Sequence, residues 1–123
     1  MQHPNFFILY VHDPLASAAF YARLLDRPAI EASPTFAMFA LESGVMLGLW
    51  SRQTVEPAAS AAGGGAEVAF ALDSIESVNA THLRWSGMGL PVIQPPVQMD
   101  FGYTFVATDT DGHRLRVFAA NRE

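Results

Sequence analysis

His3, His12, His82 and His113 are the side chains best suited to ligate a transition metal or move a proton near neutral pH. No two of them stand at a spacing that metal sites use. The chain has no cysteine, which removes thiolate metal sites, cysteine nucleophiles and disulfides together. Asp109-x-Asp111-Gly112 has the look of a calcium loop opening. No Glu follows at the required distance, and a strand-like run follows where a helix should, so it reads as a turn. A different chemistry is suggested at Gly48, which stands in an apolar run two residues before Trp50. A glycine inside a strand marks a close approach of something to the backbone, and beside an indole it predicts a flat slot. The competing reading is that Trp50 fills core and Gly48 accommodates it.

Composition narrows the class. At 123 residues the chain is one ordinary domain that needs no disulfide or metal to fold. Half of it is hydrophobic, its net charge is −5, and it has seven Lys plus Arg with no basic run. A nucleic-acid partner is therefore not expected, because such binding needs a clustered positive stripe. The N-terminal apolar run Phe6–Val11 is too short to span a membrane and lacks the flanks of a signal peptide, so the expected location is cytoplasmic, with no membrane partner.

The elements follow from patterning. Phe6–Val11 reads as a buried strand. Asp13 and Pro14 make a helix start, with Leu15, Ala18, Ala19, Ala22 and Leu25 on one apolar face and Pro28 closing the region. Strand-like runs Thr35–Leu41 and Val45–Ser51 flank the turn signal Glu42-Ser43-Gly44. The register of the first run is open by one residue: either Phe36 and Met38, or Phe39, faces a cavity. From Arg52 to Ala66 the chain turns to Ala, Ser and Gly and reads as a linker. Glu67–Leu72 is then a strand, and Asp73 with Glu76 predicts a capping box. The helix it opens buries Ile75, Val78, His82 and Trp85 and stops at Gly87. Pro91–Ile93 begins a short strand interrupted by Pro95-Pro96, and 103–108 with 113–119 form a closing hairpin. The two halves repeat as text: Asp13 matches Asp73 and Gly44 matches Gly112. The expected architecture is α+β, a single domain over 1–123 made of two βαβββ modules, 5–51 and 67–120, joined by linker 52–66. One such module exposes a sheet face that a partner module must cover, within the chain or across a dimer.

Tyr10-Val11-His12-Asp13 with Ser17–Tyr21, and Phe101–Phe105 through Asp109–His113 and Arg114–Phe118, resemble the vicinal oxygen chelate superfamily. That superfamily includes glyoxalase I, bleomycin-resistance proteins and extradiol dioxygenases, and the likeness covers essentially the whole chain. Gly48-Leu49-Trp50-Ser51 with the closing hairpin is similar to phenazine-antibiotic-resistance binding proteins. The resemblance implies four metal-ligand positions, on the first and fourth strands of each module. Here they fall on Phe6, Gly48, Glu67 and Arg116. One carboxylate among four does not hold a divalent ion, so no metal and no cofactor are expected.

Strand parity through those positions predicts an inward set. It comprises Phe6, Ile8 and Tyr10, then Met46, Gly48 and Trp50, then Glu67, Ala69 and Ala71 with Arg114, Arg116 and Phe118. Glu67 and Arg116 are expected to form a salt bridge, with Arg114 at the rim. Tyr103 is either a cavity wall residue with a hydroxyl to offer or a core residue, and Met88 and Met99 either line the entrance or fill core. The expected ligand-binding residues are thus Phe6, Ile8, Tyr10, Met46, Gly48, Trp50, Glu67, Tyr103, Arg116 and Phe118. The expected function is metal-independent sequestration of a planar aromatic small molecule by a non-enzymatic homodimer. Three alternatives stay open: a metal-free lyase- or isomerase-like enzyme using Glu67 and Arg116 (or Tyr103), a metal-dependent glyoxalase or dioxygenase relative, and a protein-binding module.

Overall fold

The structure, a computed structural model, describes residues 1–122. It divides into two compact units, Met1–Ala61 and Ala62–Glu123. Each unit is a βαβββ module, so the α+β expectation holds at the level of topology.

In the first unit, β1 (Phe6–Val11) leads into α1 (Pro14–Leu25), followed by β2 (Glu31–Ala32), β3 (Phe36–Ala40) and β4 (Met46–Ser51). Asp13 caps α1 as its residue type predicts: Oδ1 accepts the N–H groups of Leu15 at 3.1 Å and Ala16 at 3.3 Å. The sheet order is β1-β4-β3-β2, with β1 and β4 parallel and the other neighbours antiparallel. Partners across a sheet share a face, so the register sorts the residues. Val11, Ala37, Phe39, Leu47 and Leu49 are buried on the face that packs against Ala18, Tyr21 and Leu24 of α1. Phe39 pairs with Leu47 and is fully buried, which settles the open register: Phe36 and Met38 lie on the other face. The two-residue β2 was not legible in the sequence as a strand.

In the second unit, β5 (Glu67–Leu72) precedes α2 (Ile75–Gly87), β6 (Val92–Gln98), β7 (Gly102–Thr108) and β8 (Arg114–Ala120), in sheet order β5-β8-β7-β6. Ser74, not Asp73, is the N-cap of α2, because the helix starts at Ile75 and the third helical N–H belongs to Ser77. Ser74 Oγ accepts that N–H at 3.1 Å, so the expected Asp73–Glu76 box is not formed. Nor does Pro95-Pro96 end a strand. β6 runs through both prolines as an edge strand with two register shifts against β7, a sheet position where missing N–H groups are tolerated. Trp85 stands edge-on to Phe70 and Phe105, with centroids 5.4 and 5.5 Å apart, and anchors the core with Val78, Leu115 and Val117. Ile75, expected on the buried side, is 47% exposed. Asp109 organises the closing turn: Oδ1 accepts the Asp111 and His113 N–H groups, and Oδ2 lies 2.8 Å from His113 Nδ1. Among the described residues, no helix is long and apolar enough to cross a membrane.

Candidate functional site

With α1 covering one face of the first sheet, the register places Phe6, Ile8, Tyr10, Phe36, Met38, Met46, Gly48 and Trp50 together on the other. No charged group sits among these residues. Phe6, Ile8 and Tyr10 are each more than two-fifths exposed, and Phe36 and Trp50 are half-buried. Phe36 meets Trp50 edge to face, with centroids 6.1 Å apart at 87°. Exposed aromatic area of this kind marks an interaction surface, and a flat apolar ring set against it would gain both burial and stacking.

Gly48 works differently from the expected empty slot. A Cβ there would stand 2.9 Å from Phe36 Cζ and 3.0 Å from Phe6 Cε1. The two rings already lean over the backbone, and glycine is what lets them approach. The close approach was read correctly; its occupant is the protein's own pair of phenyl rings. Phe36 is therefore part of the aromatic face, and the hairpin spacing that pairs it with Trp50 was the signal that identifies it.

The corresponding face of the second sheet is polar at its centre. Arg116 Nε donates to Glu67 Oε1 at 2.7 Å and Nη2 to Oε2 at 3.0 Å, so the expected salt bridge takes the form of a bidentate fork. Nη1 donates to Thr104 Oγ1 at 3.2 Å and Gln94 Oε1 at 3.4 Å. Arg116 Cζ also stands 5.7 Å from the Phe101 ring centroid, and Phe101 meets Phe118 edge-on at 5.7 Å. Phe101, Gln94 and Thr104 were missed in the sequence: the register shifts in β6 hide the parity of Gln94, Phe101 lies between β6 and β7, and Thr104 shares the face by the same β7 register that turns Tyr103 away. Arg114, opposite Glu67 in the register, is exposed, as a rim residue should be.

The fork decides the protonation of Glu67. Its hydrogen bond to Arg116, seconded by the charges of Arg116 and Arg114, holds the carboxyl below the usual Glu range against a smaller opposing effect of burial. The same bond raises Arg116. A carboxylate held this firmly ionised is a poor proton acceptor at neutral pH, which works against the general-base role considered for it.

Tyr103 is not on this face. It pairs with Ala119, one step out of phase with Thr104 and Phe118, and its hydroxyl donates to Asn79 Oδ1 of α2 at 2.9 Å. There it lines a separate cavity of about 360 Å³ with Ile75, Glu76, Gln98 and Asn121. Its assignment to the ligand wall is corrected: the five-residue turn that pairs Thr108 with Arg114 sends odd-numbered residues of β7 toward the helix.

The four positions at which the resemblance implies metal ligands do not suit a cation. Phe6 opens β1 and Gly48 is the third residue of β4; neither has a lone pair to offer from its side chain. Glu67 opens β5 and gives both oxygens to Arg116, the third residue of β8. Among the described residues, no group of three or more His, Cys, Asp or Glu is placed to hold a metal ion.

Known proteins bear on this arrangement. Residues 3–117 match the model of the Glyoxalase/Bleomycin resistance protein/Dioxygenase superfamily. The phenazine antibiotic resistance protein EhpR of Enterobacter agglomerans is 27% identical over 117 residues, 93% of this chain and 89% of that protein. An Agrobacterium tumefaciens protein solved by NMR in solution is 51% identical, with a TM-score of 0.91 over 99% of this chain and 100% of that one. A glyoxalase-related enzyme from Fulvimarina pelagi matches at TM-score 0.84 and 20% identity over 97% of this chain and 88% of that one, a likeness of fold alone.

Proposed function

We propose that this chain, which belongs to the Glyoxalase/Bleomycin resistance protein/Dioxygenase superfamily, binds a planar aromatic small molecule and sequesters it in the cytoplasm without a metal ion and without turnover. The observation that carries the reading is the cluster of Phe6, Phe36 and Trp50 around Gly48, an uncharged aromatic surface left open on the helix-free side of β1, β4 and β3. The likeness to a protein named for phenazine resistance supports it, since a phenazine is a flat tricyclic aromatic. Stacking and apolar burial must offset the cost of immobilising the ligand, so a Kd in the micromolar range, roughly 1–100 μM, is the affinity such a face sustains. Protection by sequestration then needs protein in amounts comparable to the ligand. We propose further that the chain acts as a homodimer, given the apolar edge strand β1.

The test follows Trp fluorescence while phenazine and other planar aromatics are titrated in a Trp85→Phe background that leaves Trp50 as the reporter. Saturable quenching, abolished by Trp50→Ala, with the ligand recovered chemically unchanged, supports sequestration. Absence of quenching across a broad panel defeats it, and a modified ligand converts the protein into an enzyme.

A further inference from the structure

The cavity on the helix side of the second unit joins an apolar wall to a polar one. Ile75, 47% exposed although its spacing placed it on the buried side of α2, opens onto this cavity beside Ala119 and Ala120. On the polar wall, Gln98, Tyr103 and Ser74 have spent their donors and kept acceptors. Gln98 Nε2 donates to Asn121 Oδ1 at 2.8 Å and to the Met99 carbonyl at 3.0 Å, while its Oε1 has no partner among the described residues. Tyr103 gives its proton to Asn79 Oδ1 and keeps hydroxyl lone pairs. Ser74 Oγ donates to Ser77 Oγ at 2.9 Å. The carboxylates of Asp73 and Glu76 have no hydrogen-bond or ion-pair partner among the described residues. They outnumber the one cation of the lining, Arg122, which donates to the Asp73 carbonyl. The first turn of α2 also faces this space, but Ser74 caps it and Glu76 already compensates its positive end, so an anion from solution gains little there.

We propose that this cavity binds a small aliphatic ammonium compound, its hydrocarbon body against Ile75 and Ala120 and its N–H groups donated to Glu76, Gln98 Oε1 and Tyr103 Oη. At about 360 Å³ the space is of the size that holds small molecules. A charged donor set against a carboxylate forms the stronger class of hydrogen bond, which an uncharged alcohol forgoes. A carboxylate ligand is repelled by Asp73 and Glu76 instead. The site is separate from the aromatic surfaces, because Tyr103 and Ala119 lie one step out of phase with Thr104 and Phe118. Its occupancy therefore does not depend on the binding of planar aromatics.

Cyclohexylammonium, cyclohexanol and cyclohexanecarboxylate share one hydrocarbon body and differ only in the head group. Each is titrated near neutral pH into the isotope-labelled full chain, and backbone amide shifts are followed by NMR. Cyclohexylammonium should shift the amides of Ile75, Glu76 and Tyr103 saturably and bind at least tenfold tighter than cyclohexanol. High NaCl should weaken it, and the carboxylate should not bind. Glu76 is exposed, so Glu76→Gln should remain folded by circular dichroism and weaken the ammonium at least fivefold. Trp50→Ala should leave its affinity unchanged. Absence of saturable shifts at those amides, equal or tighter binding of the alcohol or the carboxylate, or wild-type affinity in Glu76→Gln overturns the proposal. Each of those failures leaves the reading of the aromatic face standing, since that reading is decided by Trp50 quenching.

Discussion

Phe36 touches Gly48 across the β3–β4 ladder, its Cζ standing 2.9 Å from where a glycine-borne Cβ would lie. The contact couples backbone composition to the aromatic face. Gly48→Ala must displace the Phe36 ring, the Phe6 ring or both, and overpacking of this kind costs about 1–3 kcal/mol. Because Phe36 also braces Trp50 edge-on, the displacement should reach the indole. A shift in Trp50 emission in the Trp85→Phe background, together with a lowered urea midpoint, is the expected result. Unchanged emission and stability would mean that neither ring rests on the glycine in solution.

Tyr103→Phe separates the two faces of the second sheet. It removes only the hydroxyl that donates to Asn79, on the helix side. An exposed hydrogen bond of this type contributes at most about 0.5–1.5 kcal/mol, so a small loss in urea midpoint is expected. Aromatic affinity should be unchanged. A tenfold loss of affinity would place the hydroxyl at the ligand and overturn the side assigned to it.

What the sequence made legible, and what it hid, divides along these same strands. Parity worked on β1, β4, β5 and β8 because each runs without a break and one residue in each fixes the rest: Phe6 with Gly48, Glu67 with Arg116. Parity on β7 was equally available by counting through the turn between Thr108 and Arg114, and Tyr103 was misplaced for want of that count. Gln94 was a different matter. Two register shifts in β6 reset the alternation, and no pattern in Val92–Gln98 announces where. Phe101 lies between β6 and β7, outside any strand whose parity could place it. The cap of α2 slipped by one residue because Asp73 and Ser74 are both good N-caps, and only the position of the first helical turn chooses between them. That Gly48 would be roofed by the chain's own rings required the third strand, whose register the sequence left open.

The acid limb of stability should carry the signature of Glu67. Its folded pKa is depressed, so its contribution is fully present above the unfolded value, about 4.3, and is lost as pH falls through the lower folded value. The pair is partly exposed and solvent-screened, which limits the contribution to under about 1 kcal/mol. Wild type should therefore exceed Glu67→Gln slightly in urea unfolding at pH 6–8, with the gap closing below about pH 4.5. Salt should shrink the gap at neutral pH as well. A difference that persists unchanged to pH 3 would show that the Gln variant lost something other than a charged fork.

Strand β1 carries the prediction about assembly. It lies at an edge of its sheet, paired only with β4, and Phe6, Phe7, Ile8 and Tyr10 along it are all exposed beyond two-fifths. An edge with apolar side chains and unpaired backbone groups invites a second strand, and monomeric proteins blunt such edges with charge. β1 has no charged residue. Phe7 is the informative position: at 54% exposure it is the most open of the four, and it pairs with Leu47, out of phase with the Phe6–Gly48–Trp50 face. Phe7→Glu should therefore convert a dimer to a monomer in sedimentation velocity at micromolar protein while Trp50 quenching by phenazine in the Trp85→Phe background persists. Loss of both together would assign a shared structural origin to assembly and binding. A wild type that sediments as a monomer at every concentration would remove the dimer altogether, and the exposed ring of Phe7 would then belong to some other contact.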